Sequence, residues 1–164
     1  MKNVIKYLFF FLVTISISSC KSSQDRDELA GFMPVKKVID GDTFWVDDGS
    51  ERGLKVRLIG VNTPETVHPY KPVEYYGREA SDYVKHLLIG NKVKLKFDVN
   101  REDRYGRTLA YVYLRDGTFL NADLIKKGYA HTMTVSPNVK YAELFIELEK
   151  KARENKIGLW RNEN

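Results

Sequence analysis

The chain has 164 residues, of which 43% are hydrophobic and 30% charged. That length holds one domain with a modest core, and that balance excludes an intrinsically disordered chain. The formal charge of +5 permits an anionic partner such as nucleic acid without demanding one, and the single cysteine excludes an internal disulfide.

At the start, Lys2 and Lys6 precede an apolar run, YLFFFLVTISI, over residues 7–17. The run is shorter than the ~20 residues of a membrane-spanning helix, and small residues follow it, as in an export signal. The ending Ile17-Ser18-Ser19-Cys20 resembles a bacterial lipobox. That resemblance implies that residues 1–19 are a lipoprotein signal peptide and that Cys20 carries lipid. The protein is then exported and anchored to a membrane of the cell envelope. The other reading is a plain secretory signal with an incidental cysteine. Residues 20–33 are polar and lack a regular apolar period, so they read as a tether. The domain proper is expected over residues 34–164.

Strands come first in that domain. Residues 34–39 (PVKKVI), 43–46 (TFWV) and 54–59 (LKVRLI) are short strands, the first two joined by the turn Asp40-Gly41-Asp42. Residues 92–97 (KVKLKF) alternate with period two, and residues 109–114 (LAYVYL) close the set. Three helices are expected. The first carries Ala80, Tyr83, Val84, Leu87 and Leu88 on one face and stops at Gly90. The second is capped by Asn121 and ends before Gly128. The third presents Tyr141, Leu144, Phe145, Leu148 and Ala152. Five short strands with helices make a mainly β, α+β domain built on a small barrel. An up-down-up meander puts the Asp40–Asp42 turn and the end of the third strand at the same end of the sheet.

That placement gathers polar side chains distant in sequence. Asp40, Asp42, Asn62, Thr63 and Glu65 are hard oxygen donors of the kind that hold calcium. Taken singly, each is also an ordinary turn or strand-exit residue. Arg57 lies inside an apolar strand, where an unpaired charge is costly. Arg107 precedes the fifth strand. Two guanidiniums converging on a phosphodiester would grip its oxygens and stabilise charge as it develops. The alternatives are a strand-face ion pair of Arg57 with an acid such as Asp40, and a solvated turn for Arg107.

Four segments in order, VIDGDTFWV, VRLIGVNTPET, EYYGREAS and DRYGRTLAYVYL, resemble the staphylococcal nuclease (thermonuclease) family over residues 35–160. The resemblance implies an OB-fold, a five-stranded barrel with three helices. It also implies calcium-dependent hydrolysis of DNA and RNA to 3′-phosphate ends. Single-stranded or unpaired regions are the expected substrate, and the chain, with no sign of an obligate oligomer, is expected to be a monomer. By position, Asp42 resembles the carboxylate calcium ligand, Asn62 falls where a second carboxylate ligand usually lies, and Thr63 offers its backbone carbonyl. Glu65 resembles the general base. Arg57 and Arg107 match the phosphate-binding arginines, Asp40 an acid beside the metal, and Thr43 completes the motif. Lys71, Arg104 and Tyr105 fall near contacts to a terminal phosphate or the sugar.

Two departures from the family stand out. Asn62 replaces a carboxylate with an amide, which removes a full charge and implies weaker calcium binding. The segment HTMTVSPN lacks the family's tyrosines beside the nucleotide, leaving Met133 as an apolar substitute. His131 reads as a partly buried polar residue near the groove, and His68 and His86 as similarly ordinary. A noncatalytic nucleic-acid-binding lipoprotein, with Asn62 marking a decayed metal site, is the main alternative. An oligosaccharide- or peptide-binding lipoprotein on the same fold is a third reading. Retention of Asp42, Glu65, Arg57 and Arg107 together favours the enzyme.

Overall fold

A computed structural model describes residues 31–66, 70 and 72–162. Residues 1–30, with the signal sequence, Cys20 and most of the tether, lie outside the described residues, as do His68 and Lys71. The strands are β1 (Phe32–Val38), β2 (Thr43–Val46), β3 (Leu54–Leu58), β4 (Gly60–Asn62), β5 (Lys92–Lys96), β6 (Thr108–Leu114) and β7 (His131–Met133). The helices are α1 (Gly77–Leu88), α2 (Leu120–Lys126) and α3 (Ala142–Glu154), followed by a 3-10 turn at Gly158–Asn162.

Five strands close a barrel in the order β1-β2-β3-β6-β5, with β1 pairing to both β2 and β5. This is the OB-type barrel with three helices expected above. The period-two pattern decides what lies inside. Phe44 and Val46 of β2, Val56 of β3, Val93 of β5 and Val112 of β6 are all fully buried. β1 starts at Phe32, upstream of Pro34, because Phe32 and Met33 pair with Lys94 and Val93 of β5. β3 and β6 run parallel, with Arg57 opposite Leu109, and this one parallel pair completes the closure.

The third strand does not run straight on to Ile59, as its apolar pattern implies. β3 ends at Leu58, and the chain swerves at Gly60, whose φ is +76°. β4 then leaves the barrel and pairs with β7, placing Asn62 opposite His131. Gly60 is needed twice over. Its backbone is left-handed, and a Cβ there would lie 2.4 Å from the Phe145 ring of α3. Neither β4 nor β7 stands out in the sequence, since each has only three residues and pairs only with the other.

Asn121 is a correction. It does not cap α2; Phe119 occupies that position, and Asn121 sits inside the helix, fully buried. Its side-chain oxygen accepts the Val112 N–H at 2.9 Å, and its amide donates to the carbonyls of Ile59 at 2.8 Å and Ala110 at 3.3 Å. These groups lie where β3 and β6 part: the Ala110 carbonyl still accepts the Ile59 N–H at 3.0 Å, and Asn121 adds its own bonds to that carbonyl and to the Ile59 carbonyl. The helices cover the barrel with apolar faces: Val84 and Leu88 from α1, Leu120, Leu124 and Ile125 from α2, and Phe145 from α3, while Ala152 of α3 packs with Leu159 and Trp160 in a second cluster.

Gly60→Ala combines left-handed strain with a steric clash and is expected to cost ~2–4 kcal/mol in urea unfolding. Gly49→Ala has a similar φ of +89° but meets nothing within 4 Å, so its cost should stay near 1 kcal/mol. Equal losses at both positions would show that the Phe145 contact contributes nothing.

Candidate active site

The Asp40–Asp42 turn is built by its own side chains. Asp40 Oδ1 accepts the Asp42 N–H at 3.1 Å, and the Thr43 carbonyl accepts the N–H groups of Ile39 and Asp40. The turn then docks on the end of β3, where the Asp42 carbonyl accepts the Leu58 N–H at 3.0 Å. Gly41 makes this approach close, since a Cβ on it would stand 2.7 Å from the Thr63 side chain. The turn thus meets Thr63, and through Arg57 it meets Asn62, as the meander implies, whereas the bonds of Glu65 run to Thr66 and Glu74.

Asp42 is buried, and its carboxylate ties three segments. Oδ1 accepts the Thr43 hydroxyl at 2.9 Å, while Oδ2 accepts the Thr63 N–H at 3.2 Å and lies 2.7 Å from Arg57 Nη1. Arg57 is buried too. Its acidic partner is Asp42, not the Asp40 that the strand-face alternative named. Nη1 also donates to the Val61 carbonyl at 2.8 Å, and Nη2 reaches Asn62 Oδ1 at 3.3 Å. One guanidinium therefore gathers the carboxylate of Asp42 and the amide oxygen of Asn62. Burial pushes the Asp42 carboxyl up from 3.8 to about 6; Arg57 pulls it down and Asp40 pushes it up.

These donors suit a hard cation. They are a buried carboxylate, an amide oxygen and a neighbouring loop, with Asp40 adding negative charge close by. A cation beside Asp42 would offset the burial that resists its ionisation. The set is lean in charge. Among the described residues no group of three or more His, Cys, Asp or Glu side chains gathers as a metal cluster.

The second arginine sits across a cleft of about 490 Å³ whose lining includes Arg57, Arg104, Tyr105, Arg107 and Met133. Arg107 is not simply a solvated turn residue. Its Nε donates to Asp103 Oδ2 at 2.7 Å, and its backbone N–H donates to Asp103 Oδ1 at 3.1 Å. Burial alone would raise the Asp103 carboxyl, yet hydrogen bonds from the Arg107 backbone and side chain and from the Tyr105 backbone hold it below its ordinary value. Asp103 was missed in the sequence, although an acid four residues before an arginine across a Gly turn is a usable signal. Arg104 donates to the Tyr105 hydroxyl at 2.6 Å, and both Arg104 and Arg107 lie over the Tyr105 ring.

Glu65 is half-buried on the loop after β4. Its Oε1 accepts the Thr66 N–H at 3.0 Å, and its own N–H donates to Glu74 Oε2 at 2.9 Å. His131 occupies an ordinary structural place, 3.7 Å from Glu149 and edge-on to Trp160. His86 lies in the last turn of α1.

The raised carboxyl has a consequence for stability without metal. Asp42 binds its proton more tightly folded than unfolded, so its contribution is fully present below pH 3.8 and is lost as pH rises to about 6. Under chelation, the difference in stability between wild type and Asp42→Asn should change across that window and be flat above it. Denaturant titrations at a series of pH values read this directly, and a difference constant with pH would contradict it.

Comparison with known proteins adds the family. Residues 55–162 match the model of the staphylococcal nuclease homologue family. The chain is 49% identical over 129 residues to a thermonuclease of Staphylococcus hyicus, covering 78% of this chain and 75% of that protein. It is 46% identical over 127 residues to a thermonuclease of Staphylococcus intermedius, covering 77% and 74%. It is also 40% identical over 126 residues to the endonuclease YncB of Bacillus subtilis, covering 76% of this chain and 59% of that one. With the barrel, the Asp42–Arg57 centre and these matches in agreement, the chain belongs to the staphylococcal nuclease homologue family.

Proposed function

We propose that the protein is a calcium-dependent endonuclease that hydrolyses DNA and RNA to 3′-phosphate ends. The observation that carries this reading is that Arg57 and Arg107, fifty positions apart, line one cleft beside the Asp42 oxygen centre. A binding domain needs cations along its surface; it has no need to bury one against a carboxylate at the end of its barrel. The similarity to thermonucleases supports the same reading.

Asp42 and Asn62, through their side-chain oxygens, and Thr63, through its carbonyl, would hold the calcium. When bound, the ion supplies Lewis acidity at a phosphoryl oxygen. The chain's own residues do the rest. Arg57 and Arg107 donate hydrogen bonds to the non-bridging oxygens and stabilise the charge that grows as water attacks phosphorus. Glu65 takes a proton from that water, acting as general base. The bond to the 5′-oxygen breaks and phosphate stays on the 3′ side. Asp40 adds negative charge next to Asp42, and Thr43 holds its carboxylate. Arg104, Tyr105 and Lys71 contact the flanking phosphate and sugar, and Met133 gives the cleft an apolar floor. Single-stranded or unpaired segments fit a cleft of this size best.

Cys20 and the segment before it support a lipid-anchored, exported protein that acts on nucleic acid outside the cytoplasm, and we take it to act as a monomer. Labelling with a radioactive fatty acid, lost in Cys20→Ala, tests the anchor.

The purified protein should cleave single-stranded DNA, duplex DNA and RNA with calcium and stop on chelation. Glu65→Gln should lower the rate by about 10²–10⁴. Activity indifferent to both treatments would sink the mechanism. Asn62→Asp restores a charge to the ligand set and should tighten calcium binding in calorimetry by on the order of tenfold. No gain would mean that Asn62 is not a ligand.

A further inference from the structure

The proposed general base stands on a loop, and a loop gives a carboxylate little positional control unless something holds its backbone. Here one residue holds both sides of it. The Glu65 N–H donates to the Glu74 carboxylate at 2.9 Å, and the Glu65 carbonyl accepts the Glu74 N–H at 3.0 Å. Glu74 is tied in turn to the start of α1, where its carbonyl accepts the Gly77 N–H at 3.0 Å. A Cβ on Gly77 would lie 3.2 Å from the Pro64 carbonyl and 3.3 Å from that of Glu65, so the helix start rests on the same stretch of backbone.

The arrangement pairs the backbone of Glu65 with Glu74 through one backbone bond and one bond to the Glu74 side-chain carboxylate. It joins Glu65 to Glu74, nine positions apart. It also uses the only hydrogen-bonding groups that the Glu65 backbone has, which fixes the direction in which the Glu65 side chain leaves the chain. Glu74 itself is exposed, lies outside the cleft that holds the two arginines, and fills no place in the core. Folding alone gives little reason for a carboxylate at this position.

We propose that Glu74 is a positioning residue for the reaction, which sets the Glu65 carboxylate against the attacking water by clamping the Glu65 backbone. The proposal rests on the reading of Glu65 as general base. A clamp of this kind acts on proton removal and leaves phosphate binding by Arg57 and Arg107 alone. Its signature is therefore a loss in kcat at nearly constant KM. It also needs an acceptor at the end of the side chain and not a charge, so glutamine serves where alanine does not.

Steady-state kinetics on a single-stranded DNA oligonucleotide with calcium test this for the full chain and its variants Glu74→Ala, Glu74→Gln, Glu65→Gln and the double variant Glu65→Gln/Glu74→Ala. Glu74→Ala should lower kcat by about tenfold to a hundredfold, the range that a misplacement near 1 Å produces, with KM within about twofold. Glu74→Gln should recover most of the rate. The double variant should be no slower than Glu65→Gln alone, because a clamp has nothing to position once the base is gone. Full kcat in Glu74→Ala, failure of glutamine to recover the rate at an unchanged melting temperature, or losses that multiply in the double variant would each overturn the clamp while leaving the nuclease reading intact. Unchanged activity in Glu65→Gln would overturn the general-base reading and the clamp together.

Discussion

The buried contact between Asp42 and Arg57 is the constraint on which the rest of this end of the molecule depends. A carboxylate and a guanidinium removed from water are costly unless every remaining donor and acceptor finds a partner. Here the partners come from three segments: the hydroxyl of Thr43 on β2, the backbone of Thr63 after β4, and the carbonyl of Val61. The pair therefore does more than neutralise itself. It holds the hairpin turn, the end of β3 and the departing loop in one arrangement, and leaves Asn62 and Asp40 facing the same small region.

That arrangement needs β3 to stop where it does. If the strand ran on through Ile59, the chain would stay in the barrel wall, and Asn62 and Thr63 would lie away from the turn. Gly60 supplies the swerve, and Asn121 satisfies the carbonyls of Ile59 and Ala110 where the ladder opens. β7 then receives β4, and the two short strands form a ledge beside the cleft. A buried helix asparagine is unfavourable locally, and a left-handed backbone is unfavourable for any residue but glycine. Both are retained at the place where a regular barrel gives way to a site.

The electrostatics of the site follow from how few charges it holds. Burial works against ionisation of Asp42, Asp40 adds to that resistance, and among the described residues Arg57 is the positive charge in contact with it. With an amide at position 62, the centre carries less negative charge than a pair of carboxylates would give it. Across the cleft, Arg107 is already matched by Asp103. The two arginines are thus held differently, one buried against the oxygen donors and one half-exposed on a turn, and both line the same cleft.

Much of the domain was legible in the residues. Period two in TFWV and KVKLKF marked strands, the i, i+3, i+4 spacing from Ala80 to Leu88 marked a helix, and DGD between two strands marked a turn, because local sterics and burial act within a few residues. The short strands at 60–62 and 131–133 carry no such signal, since three residues show no period and their pairing is with each other across the chain. Asn121 looked like a cap because asparagine usually is one; only the opening between β3 and β6 makes a buried amide worth its cost. The sequence by itself determined the residue types of the site and the end of the barrel where they collect. Which acid Arg57 meets and that Glu74 holds the backbone of Glu65 were decided only by tertiary structure, because hydrogen bonds have direction and reach that chain order does not record.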